Sequence, residues 1–264
     1  MKTIDGESIK RLLKTEKIGR TIHFFERVGS TNDGAFELAR NGASDGTVVI
    51  ADSQTEGRGR LQRKWISPPG LNLYISVILR PAIPAKDAPL LTLVSSIALA
   101  ETIKNEGATP SIKWPNDIFI EGKKAAGVLT EMQPKGDRVD FVVVGIGVNL
   151  NITKELMKTE MKDIAEIATS IRETIGREVD RSAFTATLIN NLEKWQEKFQ
   201  TEGKNPIIQE WMKMCGMINR RVKIKFNEKE IEGIACGVDE NGCLILKKDD
   251  ETIESVVAGD LILL

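Results

Sequence analysis

Ala126–Leu150, AGVLTEMQPKGDRVDFVVVGIGVNL, decides the fold. Two apolar runs, Ala126–Met132 and Phe141–Leu150, flank the polar turn Lys135-Gly136-Asp137. Valine- and isoleucine-rich runs joined by a short glycine-bearing turn predict an antiparallel hairpin. Upstream, Ser111–Trp114 and Ile118–Ile120, with a Glu121-Gly122 turn, extend it into a meander. Strands that follow one another through hairpins predict an α+β domain with a largely antiparallel sheet.

Working outward, strands are expected at Thr21–Glu26, Thr47–Ser53 and Leu73–Leu79, the last stopped by Pro81. Helices are expected at Ser8–Lys17, at Leu90–Asn105, and from the N-cap chemistry of Ser30-Thr31-Asn32-Asp33 through Arg40. Small residues in the Leu90–Asn105 helix (Ser95, Ser96, Ala98, Ala100) suit close packing on a sheet. Glu155–Gly176, Ser182–Thr201 and Asn205–Cys215 read as helical. From Arg221 the texture changes to short strands with turns at Asn227-Glu228, Asp239-Glu240-Asn241-Gly242 and Lys248-Asp249-Asp250. A boundary is therefore placed near Met217, giving domains 1–217 and 218–264, the second a small β-barrel.

Composition narrows the function. Among 264 residues, 37 Lys and Arg balance 38 Asp and Glu, so bulk charge gives no reason to expect nucleic-acid binding. The single histidine, His23, argues against Ser-His-Asp or Cys-His catalysis and against a His-rich metal site. Three cysteines without a CxxC pair suit reduced thiols in a cytoplasmic protein. No apolar run is long enough to span a bilayer, and Met1–Arg20 is not patterned as a signal peptide.

Against that neutral background, Gly57-Arg58-Gly59-Arg60-Leu61-Gln62-Arg63-Lys64-Trp65 is a local concentration of cations around two glycines, with an indole at one end. Glycines let the backbone approach a ligand, and guanidinium groups suit phosphate or carboxylate, so the loop reads either as a basic surface turn or as an anion-binding loop with an aromatic lid. Ser30-Thr31-Asn32 could cap a helix or bind a neutral polar head group. Lys113-Trp114-Pro115-Asn116-Asp117 sets a cation, an amide and a carboxylate around a proline corner. Lys124 enters a buried-looking strand and would need a counter-charge if it points inward. The alternating glycines of Gly145-Ile146-Gly147-Val148-Asn149 leave backbone bare, either for a tightly packed helix or for a flat ligand. Together these segments supply what activating a carboxylic acid with ATP requires.

These five segments, in their order along the chain, resemble the biotin protein ligase family, and Glu232–Leu244 continues the similarity into the C-terminal part. The resemblance implies a central SH2-like domain of the class II synthetase/biotin ligase type and an SH3-like barrel after it. It also implies a two-step reaction: biotin and MgATP give biotinyl-5′-AMP and pyrophosphate, then a lysine of a biotin carboxyl carrier domain takes the biotinyl group. ATP, Mg²⁺ and biotin enter as substrates, with no prosthetic group, and the carrier belongs to a biotin-dependent carboxylase.

By resemblance, Ser30, Thr31, Asn32 and Gln54 line the site for biotin's ureido ring. Gly127, Gly145 and Gly147 floor the rest of that site, and Arg58 and Gly59 border it. Arg60 meets biotin's carboxylate and the adenylate, while Arg58, Arg63, Lys113 and Asn116 face ATP. Lys124 bridges carboxylate and α-phosphate, Trp65 stacks on adenine, and Asn149 reads the adenine edge. Asp117 orients the acceptor amine or, alternatively, holds Mg²⁺. Arg60, Lys124 and Asp117 are the catalytic candidates.

Gln62 departs from the family, which often has glycine there, and is expected to stiffen the loop. Twenty-nine residues precede Ser30, too few for the winged-helix module of some bacterial members, so no DNA-binding repressor role is expected. The family resemblance admits a homodimer through an exposed sheet edge. Lipoate-protein ligase and a non-catalytic biotin sensor are the alternative readings.

Overall fold

The computed structural model describes residues 4–226 and 229–264; the turn expected at Asn227-Glu228 lies outside them. Seven strands form the main sheet: β1 (Ile22–Val28), β2 (Val48–Gln54), β3 (Leu73–Leu79), β4 (Pro110–Lys113), β5 (Asp117–Ile120), β6 (Lys123–Lys135) and β7 (Arg138–Val148). Their order is β1-β2-β3-β7-β6-β5-β4. Only β1 and β2 run parallel, and every other neighbouring pair is antiparallel. The mixed, largely antiparallel sheet expected from the meander is present, with Gly136 at φ 60° in the β6–β7 turn.

Period-two alternation assigns the two faces of this sheet. Leu73, Ile75 and Val77 of β3 and Val142, Val144 and Ile146 of β7 join the main apolar core. That core includes α3 (Leu90–Asn105), in which Ser95, Ser96, Ala98 and Ala100 are buried. Buried positions of α6 (Arg181–Glu202) and α7 (Lys204–Met214) complete it. The opposite face carries a smaller cluster, in which Ala35 and Ala39 of α2 (Thr31–Arg40) meet Val49, Ile78, Phe141 and Val143. Beyond α2 this second face is open, and the cleft lies there.

Two helices differ from expectation. α1 is Gly6–Leu12, capped by Asp5, and does not reach Lys17. Backbone donors after it are claimed by side chains of α6: Lys14 N by Asn190, and Lys17 N and Ile18 N by Glu193 at 2.9 and 2.6 Å. Residues 155–176 are not one helix either. α4 (Lys154–Met161) ends where Lys162 turns to φ 47°, a 3-10 stretch follows, and α5 is only Ile171–Ile175. The intervening backbone pairs with β6 instead, Thr169 N donating to Lys124 O at 2.9 Å. Ser170 then caps α5, its side chain accepting from Glu173 N.

The C-terminal strands are β8 (Arg221–Phe226), β9 (Lys229–Val238), β10 (Leu244–Lys247), β11 (Ile253–Val256) and β12 (Asp260–Leu263), in the order β11-β10-β9-β8-β12. The edge strands β11 and β12 are joined only by residues 257–259. That connection reaches roughly 14 Å, less than the roughly 19 Å across four strand spacings in a flat sheet. The sheet therefore rolls up. Trp114 fixes it to the main body: its ring is buried and its Nε1 donates to Gly242 O at 3.1 Å.

Candidate active site

The floor of the cleft is a bare patch of sheet. Asp117, Gly127, Gly147 and Tyr74 are directly opposed in a row across β5, β6, β7 and β3. Leu129, Gly145 and Ser76 form the next row. A Cβ on Gly147 would come within 2.6 Å of the Trp65 indole, and one on Gly145 would overlap the Asn32 amide. The alternating glycines thus serve two purposes: one admits the start of α2, the other an aromatic ring. Above this floor is a cavity of about 910 Å³ that every site residue named from the sequence lines.

Lys124 reaches the cavity because β6 is irregular. Ile118 pairs with Ala126, but Phe119 pairs with Lys124, leaving Ala125 as an extra residue. Lys124 and Gly127 are an odd number of positions apart and would face opposite sides in a regular strand; the bulge puts them on the same side. Lys124 Nζ lies 2.6 Å from Asp117 Oδ1 and 5.5 Å from the Trp65 ring centre. This is the counter-charge that an inward lysine requires.

Beside it is a small polar pocket. Ser30 occupies the N-cap position of α2, yet its side chain makes no capping bond. Thr31 N and Oγ1 instead lie 2.8 and 3.1 Å from Gln54 Oε1. Gln54 Nε2 donates to Ser67 Oγ at 2.9 Å. Ser30, Thr31 and Asn32 are all buried.

The arginine segment is a short hairpin. Trp65 N donates to Gly57 O at 2.8 Å and Gly59 N to Arg63 O at 2.7 Å, around left-handed Leu61 and Gln62 (φ 54° and 58°). Its cations are spread apart. Arg58 donates to Asp33 at 2.6 Å and to both oxygens of Glu131 at 2.9 and 3.0 Å. Burial opposes the Arg58 charge, but these two carboxylates outweigh it and raise its pKa. Arg60 lies 3.3 Å from Asn116 Oδ1 and 3.4 Å from Gly259 O, and burial lowers its pKa. Arg63 pairs with Asp260 at 3.0 Å on the C-terminal sheet.

The remaining candidates line the rest of the cleft. Lys113 Nζ sits 4.9 Å over the Phe119 ring, and burial pulls its pKa below the usual lysine value. Asn116 Nδ2 donates to Val128 O at 2.7 Å. Asn149 Nδ2 is fixed by Thr169 O at 3.0 Å, which leaves its buried Oδ1 an unpaired acceptor. Trp65 Nε1 is an unpaired buried donor in the same cleft. Asp117, considered as a metal ligand, has its carboxylate against Lys124. Among the described residues no group of three or more His, Cys, Asp or Glu is arranged to hold a metal.

Sequence reasoning missed Asp33, Glu131, Ser76 and Asp260, and the wall formed by Ile164 and Ile167. Glu131 had a signal, since it alternates with Gly127 and Leu129 on one strand face. Asp260 had none, because only the rolled C-terminal sheet brings it to Arg63.

A cation-lined cleft on a glycine floor, carried by a mixed sheet, is the architecture of an acyl-transferring ligase. Residues 24–149 match the biotin/lipoate A/B protein ligase family, and residues 217–264 match the biotin protein ligase C-terminal domain. The chain is 38% identical to the bifunctional ligase/repressor BirA of Bacillus subtilis, over 94% of this chain and 76% of that protein. It is 34% identical to the biotin–[acetyl-CoA-carboxylase] ligase of Paracoccus denitrificans, over 84% of this chain and 92% of that one. Its structure is similar to a biotin protein ligase from Aquifex aeolicus in complex with biotin and ATP, with a TM-score of 0.76 and 28% identity, covering 93% and 99% of the two chains. The chain therefore belongs to the biotin protein ligase family. No helix among the described residues is long and apolar enough to cross a membrane.

Proposed function

We propose that the chain activates biotin with ATP and transfers it to a lysine of a biotin carboxyl carrier domain. The observation that carries this reading is the Lys124 ammonium held over a glycine floor between Asp117 and Trp65, at the junction of the polar pocket and the cationic cleft.

In the first step the biotin carboxylate, ionised at neutral pH, needs no general base. Its oxygen forms a bond to the α-phosphorus of ATP, the bond to the bridging oxygen breaks, and pyrophosphate leaves with the electron pair. Mg²⁺ arrives on the nucleotide as part of the substrate. Lys124 and Arg60 stabilise charge where the new bond forms, the role in which preorganised cations contribute most. Arg58, Arg63 and Lys113 neutralise the leaving phosphates, with Arg58 exchanging its carboxylate partners for them. Thr31, Gln54 and Ser30 pair the ureido ring, the strands of Gly127, Gly145 and Gly147 floor the thiophene and valeryl chain, Trp65 stacks on adenine, and Asn149 Oδ1 accepts from the adenine amine.

In the second step the neutral acceptor amine attacks the acyl carbon, the acyl–oxygen bond breaks, and AMP leaves. The amine's proton passes to Asp117 once Lys124 has turned to the phosphate. Residues 1–217 would form the catalytic domain, and 218–264 a barrel that anchors the arginine hairpin. Incubation of the pure chain with labelled biotin, MgATP and a carrier domain tests this. Label should appear on the carrier lysine and be lost with Lys124→Ala. Exchange of pyrophosphate into ATP that required lipoate instead of biotin would overturn the choice of substrate.

A further inference from the structure

A closed path of polar contacts runs beneath the cleft and joins the two ends of the arginine hairpin. Arg58 Nη2 donates to Glu131 at 2.9 and 3.0 Å. Asn32 Nδ2 donates to Glu131 Oε2 at 2.8 Å, and Asn32 Oδ1 accepts from Ser76 Oγ at 2.6 Å. Ser76 Oγ is 2.9 Å from Thr31 Oγ1, which is 3.1 Å from Gln54 Oε1. Gln54 reaches Ser67 Oγ at 2.9 Å, and Ser67 Oγ donates to Trp65 O at 3.0 Å. Arg58 and Trp65, the two termini of this path, are the ends of one hairpin.

We propose that Glu131 is a positioning residue: it sets the hairpin through Arg58 and the polar pocket through Asn32 at once, so the state of one is felt by the other. The proposal rests on the biotin-activating reading above for its catalytic consequence, but its structural consequence stands alone. Glu131 meets donors only, from Arg58 and from Asn32. A carboxylate, which only accepts, satisfies both, whereas an amide of the same shape would turn its NH₂ toward one of them. Asp33 also holds Arg58, but its side chain is 55% exposed against 31% for Glu131, and it has no bond to the pocket. Ser76 is fully buried and has one proton, which goes to Asn32 Oδ1. Thr31 can then donate to Ser76 or to Gln54. A ligand that takes Gln54 selects the first, and the change passes through Ser76 and Asn32 to Glu131.

The test uses the full chain without ligand first. Glu131→Gln should speed tryptic cleavage within Arg58–Lys64 at least about fivefold over wild type, read by mass spectrometry, because local opening governs such cutting. Glu131→Asp, which keeps the charge, should restore most of the protection. Arg58→Ala should speed cleavage after Arg60 to Lys64 by a similar factor, and the double variant should add nothing further. In biotin-dependent exchange, Glu131→Gln should lower kcat/KM for biotin about tenfold, even in the Arg58→Ala background, where the effect can pass only through Asn32. Unchanged cleavage, additive effects on cleavage in the double variant, or a biotin kcat/KM within twofold of wild type would overturn the proposal. A wild-type chain with no biotin-dependent exchange would sink the biotin-activating reading instead, and the cleavage series would still decide the role of Glu131.

Discussion

Lys124 Nζ and Asp117 Oδ1 stand 2.6 Å apart on neighbouring strands, directly above Gly127. Both side chains are partly shielded, and neither would sit comfortably alone on an apolar floor. An incoming anion must therefore take the lysine from the aspartate. The same exchange leaves a carboxylate free beside the acyl group, where an acceptor amine would arrive. One ion pair thus links the requirements of both proposed half-reactions.

Lys124→Ala should lower biotin-dependent exchange by at least about a hundredfold, the scale for loss of a preorganised transition-state donor. Asp117→Asn should lower exchange less, because Lys124 is retained, and should lower transfer from preformed biotinyl-adenylate more. Single-turnover measurement of the two half-reactions checks this. Transfer left intact while exchange fails would assign Asp117 to the nucleotide.

Gly147→Ala should expel Trp65 from the floor, since the new Cβ would meet the indole at 2.6 Å. Trp114, Trp195 and Trp211 are buried, so a change in tryptophan emission would report mainly on Trp65. KM for ATP should rise about tenfold if Trp65 supplies a stacking surface worth roughly 1–1.5 kcal/mol. An unchanged emission spectrum and KM would show that the indole rests elsewhere in solution.

Much of this arrangement was legible because it is local. The glycine alternation at Gly145 and Gly147, the inward lysine at Lys124 and the clustered arginines each state a chemical requirement within a few residues. What escaped depends on contacts distant in sequence. Nothing near Lys124 announces the extra residue Ala125 that turns it to the cleft. The break after Met161 carries neither proline nor glycine, and arises because Thr169 pairs with Lys124 across the cleft wall. Asp260 becomes a partner of Arg63 only when the C-terminal sheet has rolled.

Lys113 gives the site a pH dependence on the alkaline side. Burial disfavours its ammonium form, so its folded pKa lies below the unfolded value. The unfolded chain then binds more protons in the window between the two, and this group's cost to stability is relieved as pH rises through the folded pKa. Phosphate binding moves the other way, because the charge is lost over the same window. KM for ATP should rise at alkaline pH below the ordinary lysine range, and Lys113→Arg should remove that rise. A profile identical in the variant would place Lys113 outside the phosphate contacts.

Leu61 and Gln62 hold consecutive left-handed backbone, φ 54° and 58°, at the tip of the arginine hairpin. Side chains with a Cβ resist this conformation at a cost of about 1–3 kcal/mol each, whereas glycine adopts it freely. Gln62→Gly removes that strain, and its greater freedom in the opened loop gives back roughly 0.4–1 kcal/mol. The closed hairpin should gain about 1 kcal/mol in net. Because the gain is local, hydrogen exchange at the Gly59 and Trp65 amides, which close the hairpin, should slow about fivefold with little change in global stability. Faster exchange at these amides would mean that Gln62 contributes side-chain contacts that outweigh its strain.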